Sequence, residues 1–102
     1  MVEQVKLERQ TSQSKEVPFV VRFKGANEVI VTGDFTGWSR EGIRLRKAGQ
    51  EEFRAALTLK PGEYQYRLIV DGEWTDDPQA KKRVPNPFGG ENCVLQIPPR
   101  GV

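Results

Sequence analysis

The sequence contains no histidine and a single cysteine, Cys93. The first absence removes the commonest general base and the commonest metal ligand at neutral pH. The second excludes a disulfide within the chain and fits a reducing compartment. Neither sign of charge dominates: 16 Lys and Arg stand against 14 Asp and Glu, a formal net charge of +2. That balance argues against a polyanion partner. The short run Lys81-Lys82-Arg83 reads as solvated surface, so no nucleic acid is expected. No apolar run approaches the ~20 residues of a membrane span. Met1–Lys6 also lacks the apolar stretch of a secretory signal. The expected location is cytoplasmic, away from membranes.

At 102 residues the chain is long enough for one domain. A chain of this size buries roughly 60–70% of the surface its unfolded form would expose, enough for one modest core. Residues 1–16 are polar and form a tail, with a short helix conceivable over Val2–Arg9, and residues 99–102 form a second tail. Residues 17–98 are read as a β-sandwich. Pro18–Phe23 is rich in β-branched and aromatic residues. Glu28–Gly33 alternates, Ile43–Arg46 is a short alternating strand, and Phe53, Ala55, Leu57 and Leu59 point one way. Lys60-Pro61-Gly62-Glu63 is a turn of the type II kind. Tyr64, Tyr66, Leu68 and Val70 then share one face, and Gln65, Arg67 and Ile69 the other. Asp71-Gly72 is a strong type I′ hairpin signal. Residues Thr75–Gly90 read as one long loop, and Cys93–Ile97 as the last strand, stopped by Pro98-Pro99. Short strands separated by turn signals point to an all-β fold, a sandwich of about seven or eight antiparallel strands, with no core-forming helix.

Both tryptophans stand beside turns. Trp38 closes Gly33-Asp34-Phe35-Thr36-Gly37-Trp38, a stretch with no room for a helix, and Trp74 follows Asp71-Gly72. Binding residues concentrate on such loops. Indoles stack on flat apolar faces, which sugar rings possess. If Tyr64, Tyr66, Leu68 and Val70 face the core, Arg67 faces out on the strand that leads into Trp74. Its guanidinium offers fork-like hydrogen bonds to hydroxyls. Other readings stay open at this point. Trp38 could cap the bottom of the sandwich, and Arg67 could pair with a neighbour such as Glu73. Phe88 could pack beneath its loop, and Asn92 could satisfy loop backbone groups.

No catalytic constellation emerges. Glycoside hydrolysis needs two carboxylates about 5–9.5 Å apart in a cleft, and a sandwich this small has little room for one. Asp71 and Asp76-Asp77-Pro78 read as turn and loop chemistry. No loop has the spacing of a calcium-binding EF-hand. Gly89-Gly90 is no phosphate cradle, because no helix follows it. Cys93 reads as a strand residue without chemistry. Neither a metal nor a cofactor is expected, and the chain is expected not to be an enzyme.

Four blocks in order carry a resemblance: Gly33–Trp38; Leu59–Arg67; Val70–Pro78, which reads Val-Asp-Gly-Glu-Trp-Thr-Asp-Asp-Pro; and Asn92–Ile97. Together they resemble the family 48 carbohydrate-binding modules, the early-set domains of AMP-activated protein kinase β subunits, isoamylases and glycogen branching enzymes. The resemblance implies an immunoglobulin-like early-set fold that binds α-1,4-glucan without catalysis. It implies that Trp38 and Trp74 stack on glucose units and that Asn92 bonds hydroxyls. Arg67 stands where the family pattern has Lys, Phe88 where it has Leu, and Gly90 where it has Thr. These three departures put affinity and chain-length preference in question rather than the ligand class. The implied partners are α-1,4-glucan oligo- or polysaccharides and a glucan-metabolising enzyme. The rival reading is an early-set domain that docks onto such an enzyme or a regulatory partner, with both indoles buried by protein instead of sugar.

Overall fold

The computed structural model describes residues 15–98. The short helix conceived over Val2–Arg9 lies outside the described residues. The order is β1 (Lys15–Arg22), β2 (Val29–Gly33), a single 3₁₀ turn (Asp34–Thr36), β3 (Ile43–Arg44), β4 (Arg46–Lys47), β5 (Glu52–Leu59), β6 (Gly62–Val70), β7 (Glu73–Thr75), β8 (Arg83–Pro85) and β9 (Glu91–Ile97). Strands β1-β5-β4 make a three-stranded sheet. A six-stranded sheet runs β3-β2-β6-β9-β8, and β7 pairs with β6 where β9 has left it. All pairings are antiparallel. The fold is an immunoglobulin-like β-sandwich.

The core follows from the period-2 alternation of the strands. Phe19 and Val21 of β1 and Phe53, Leu57 and Leu59 of β5 point inward from the small sheet. Val29 and Val31 of β2, Tyr66 and Leu68 of β6, and Cys93 and Ile97 of β9 meet them from the large one. Phe19 and Tyr66 pack edge to face across the interior, ring centroids 5.3 Å apart at 88°. Each large side chain so buried contributes roughly 1.5–3 kcal/mol.

Five details depart from the sequence pattern. Ile43–Arg46 is two strands, not one: Ile43 pairs with β2, while Arg46 pairs with Arg54 of the opposite sheet. Leu45, buried between them, donates its N–H to Val29 O at 2.9 Å as the chain changes sheet. The long Thr75–Gly90 loop contains β8, whose proline sits on an edge where a missing N–H breaks no ladder. The Gly33–Trp38 stretch holds one 3₁₀ turn, short enough to fit where an α-helix does not. Gly62 has φ 145°, wider than the about +80° of a type II turn, and Pro61-Gly62 carries the chain from β5 in one sheet to β6 in the other. At the start of the domain, Lys15 and Glu16 already pair with Leu59 and Thr58.

Candidate functional site

The outer face of the six-stranded sheet is set by register. Thr32 stands beside Arg67, Ile69 beside Trp74, and Gln65 beside Val94. Cross-strand neighbours share a face, so one surface carries Gln65, Arg67, Ile69 and Trp74, with Asn92 two residues before Val94. The inward row Tyr64, Tyr66, Leu68 and Val70 packs in or against the core, which turns Arg67 outward.

Trp74 reaches this face on a two-residue hairpin. Asp71 and Gly72 have φ of 50° and 89°, the paired positive values of a type I′ turn. The Asp71 carboxylate accepts from Asn27 N at 3.0 Å and Glu28 N at 2.8 Å, which moors the turn to the start of β2. Trp74 itself is 38% exposed.

Trp38 reaches the same face by a loop. Its φ is 61°, in a region a bulky residue occupies at a cost of about 1–2 kcal/mol. Backbone and side-chain hydrogen bonds hold it there. Trp38 N donates to Gly33 O at 3.0 Å, and the indole N–H donates to Asp34 Oδ1 at 3.2 Å. The other Asp34 oxygen accepts from Gln65 N of β6 at 2.8 Å. Buried Thr32 donates from Oγ1 to Ser39 O at 2.7 Å. Gly33 lies so close to β6 that a Cβ there would stand 2.8 Å from Tyr66 Cα.

Between the two indoles opens a groove of about 690 Å³ lined by Asp34, Trp38, Gln65, Arg67, Trp74, Asn86, Pro87, Phe88, Gly90 and Asn92. All five candidates from the sequence, Trp38, Arg67, Trp74, Phe88 and Asn92, line it. Arg67 pairs with Asp76 at 3.0 Å, not with Glu73. Its Nε is buried in the groove wall and has no partner among the described residues. Phe88 does not pack beneath its loop: it is 92% exposed. The loop below it is ordered by Asn86, whose Oδ1 accepts from Phe88 N at 2.9 Å and Gly90 N at 3.1 Å. The Asn86 amide then donates to Asn92 Oδ1 at 3.1 Å, and the Asn92 amide to Gln65 Oε1 at 3.0 Å. Asn92 therefore serves its loop as well as lining the groove.

Asp34, Gln65 and Asn86 were missed from the sequence. The signal for Asn86 was present in Asn86-Pro87, a turn-starting pair. Asp34 and Gln65 gave none, because their roles depend on a contact between the loop and β6.

Asp77 is no mere loop starter. It is buried, accepts a hydrogen bond from the Tyr66 hydroxyl on Oδ2 at 2.6 Å, and another from Gln79 N at 2.9 Å. Arg83 donates to its carbonyl at 2.8 Å, and its own N–H points at Cys93 Sγ, 3.4 Å away. Burial first, and then the hydrogen bond to the Asp77 carboxylate, pushes the Tyr66 phenol well above its ordinary value. Burial likewise raises the Cys93 thiol. This cluster pins the chain just beyond Trp74 to the core. Among the described residues, no group of three or more His, Cys, Asp or Glu is placed to hold a metal ion, and no helix is long and apolar enough to cross a membrane.

Residues 17–101 match the model of the glycogen recognition site of AMP-activated protein kinase. The chain belongs to that family. It is 38% identical over 81 residues to the rat 5'-AMP-activated protein kinase subunit beta-1, covering 78% of this chain and 28% of that one. It is 45% identical over 72 residues to the Arabidopsis thaliana protein PTST homolog 2, chloroplastic, covering 71% of this chain and 13% of that one. Among solved structures, a maltogenic amylase from S. marinus superposes with a TM-score of 0.63 at 28% identity, over 84% of this chain and 14% of the amylase. The glycogen-recognition domain thus spans a minor part of each relative.

Proposed function

We propose that this domain binds α-1,4-glucans (glycogen, starch or maltooligosaccharides) in the groove between Trp38 and Trp74, without catalysis. The observation that carries the reading is the convergence of two indoles, one guanidinium and three carboxamides on a single open groove. The indoles cover the apolar faces of glucose rings. Arg67, whose side chain lines the groove and keeps 26% of its surface exposed, offers guanidinium donors to ring hydroxyls. Asn92 and Gln65 offer further polar contacts, and Phe88 projects from the rim as an apolar contact for a curved chain. Family membership supports the same ligand class. Of the groove-lining residues Asp34 alone is a carboxylate, and it is engaged by Trp38 and Gln65, whereas glycoside hydrolysis calls for two.

As part of a larger assembly, such a module would bring an enzyme to its glucan. The amylase whose structure contains a comparable domain supports an enzyme of glucan metabolism as the partner or the parent chain. A cytoplasmic setting accords with one buried, unpaired thiol.

Calorimetric titration with maltoheptaose and β-cyclodextrin tests the reading, with Trp38→Ala and Trp74→Ala as controls. Saturable binding that either folded variant loses is the expected result. A folded wild type blind to millimolar sugar would overturn it and turn the search to a protein partner for the same indoles.

A further inference from the structure

Arg40 lies two residues beyond Trp38 on the same loop, yet its side chain serves the other indole. Its Nη2 donates to Gly72 O, in the hairpin turn before Trp74, at 3.1 Å. Its guanidinium carbon stands 5.8 Å from the centroid of the Trp74 ring, inside the ~6 Å reach of a cation–π contact. Arg40 does not line the groove, so it meets the indole from outside. Among the described residues, no other hydrogen bond joins the 33–42 segment to the 71–75 hairpin. We propose that Arg40 is a positioning residue: it locks the Trp74 indole against the loop that carries Trp38, so that the two indoles present one preset spacing to a ligand that stacks on both.

The inference rests on the glucan reading of the groove. Its physical basis is the cost of ordering. A ligand that engages two platforms gains from the second in proportion to how well the second is already placed, and a half-exposed aromatic free to change rotamer must be immobilised at each binding event. A planar guanidinium suits this task, since it can lie over a ring while its edge donates to a carbonyl; a lysine ammonium cannot do both.

The test uses the whole chain, with Arg40→Ala, Arg40→Lys, Trp74→Ala and the Arg40→Ala/Trp74→Ala double variant titrated with maltoheptaose. Loss of the cation–π contact and the hydrogen bond to Gly72 predicts an affinity lower by roughly two- to tenfold in Arg40→Ala. Arg40→Lys should recover only part of it, and the melting temperature should stay unchanged. Once Trp74 is gone, removing Arg40 should have no further effect. A sugar-free readout accompanies these: with Trp38→Phe leaving Trp74 as the sole indole, adding Arg40→Ala should raise acrylamide quenching of its fluorescence. Unchanged maltoheptaose affinity in Arg40→Ala overturns the proposal. So does an equal loss with and without Trp74, or unchanged quenching. If the wild type binds no sugar, the glucan reading fails, and the quenching comparison still decides whether Arg40 holds the indole.

Discussion

Trp38 sits at a positive φ in a loop held by backbone and side-chain hydrogen bonds, whereas Trp74 is the middle residue of a strand held by backbone pairing. Both indoles line the same groove. For Trp74, register does most of the placing: once Ile69 faces outward on β6, its partner Trp74 must face outward too. The type I′ turn sets that register with two residues whose backbone preferences are local. For Trp38 nothing local suffices. Its backbone is in a conformation an isolated tryptophan avoids, and it stays there because Gly33, Asp34, Thr32 and Gln65 hold the loop from four directions. One aromatic is placed by pairing, the other by a bracket of hydrogen bonds that offsets strain.

The sharpest way to break the bracket is Gly33→Ala. An added methyl meets the β6 backbone beside Tyr66, and overpacking of this kind costs about 1–3 kcal/mol. Denaturant unfolding should register that loss, and the variant's remaining folded population should lose sugar affinity through Trp38 while the Trp74 hairpin is unchanged.

Alkaline pH attacks the other mount. Tyr66 has its pKa raised on folding, so its contribution is fully present below its ordinary value of 10.0 and is lost as pH rises above it. Cys93, also raised, begins to act the same way above 9.0. Stability should therefore be flat to about pH 9 and then fall, by up to about 1.4 kcal/mol per pH unit for each group. Melting curves from pH 7 to 11 check this. Tyr66→Phe should lower stability by about 1–3 kcal/mol at pH 7 by stranding the buried Asp77 carboxylate, and should flatten the decline above pH 10. An unchanged alkaline slope in that variant would remove Tyr66 as its cause.

Asp34→Ala removes two hydrogen bonds from the bracket, each worth roughly 0.5–1.5 kcal/mol. The expected result is weaker maltoheptaose binding and a changed Trp38 emission, with Trp74 emission unmoved. Equal emission changes at both indoles would mean that the mounts are not independent.

The smallest effect carries the clearest sign. At position 38, glycine should be more stable than alanine by about 1 kcal/mol, because only glycine adopts a positive φ freely. At position 74, within a strand, glycine should be less stable than alanine by about 0.5–1 kcal/mol. Thermal denaturation of Trp38→Gly, Trp38→Ala, Trp74→Gly and Trp74→Ala compares the two. The same sign at both sites would contradict the difference in mounting.

Much of the fold was legible because it is written in local terms. The alternation of Tyr64 to Val70 predicted which side of β6 meets the core, and hence that Arg67 points outward. Asp71-Gly72 predicted the hairpin. What escaped was non-local. Arg46 gives no sign that it leaves the sheet that Ile43 joins, since an alternating stretch looks the same whichever partner it pairs with. Arg83–Pro85 carries too few residues and too near a proline to read as a strand until β9 is beside it. In the groove, the five predicted residues were readable as types suited to sugar and as positions in a resemblance. Asp34 and Gln65 were not, nor was Arg40 beside Trp74, because a carboxylate, a carboxamide or a guanidinium has no meaning until its partner is known.

The sequence by itself determined an all-β chain, the faces of its long strands, the turn before Trp74 and the family to which the chain belongs. The family rests on the resemblance of four ordered blocks; the rest follows from side-chain period and turn chemistry, which act within a few residues. Tertiary structure alone decided the sheet change at Leu45, the burial of Asp77 beneath Tyr66, the partner of Arg67 and the bracket around Trp38. Each of these joins residues distant in sequence, and which donor meets which acceptor is fixed only when packing of the core brings their strands together.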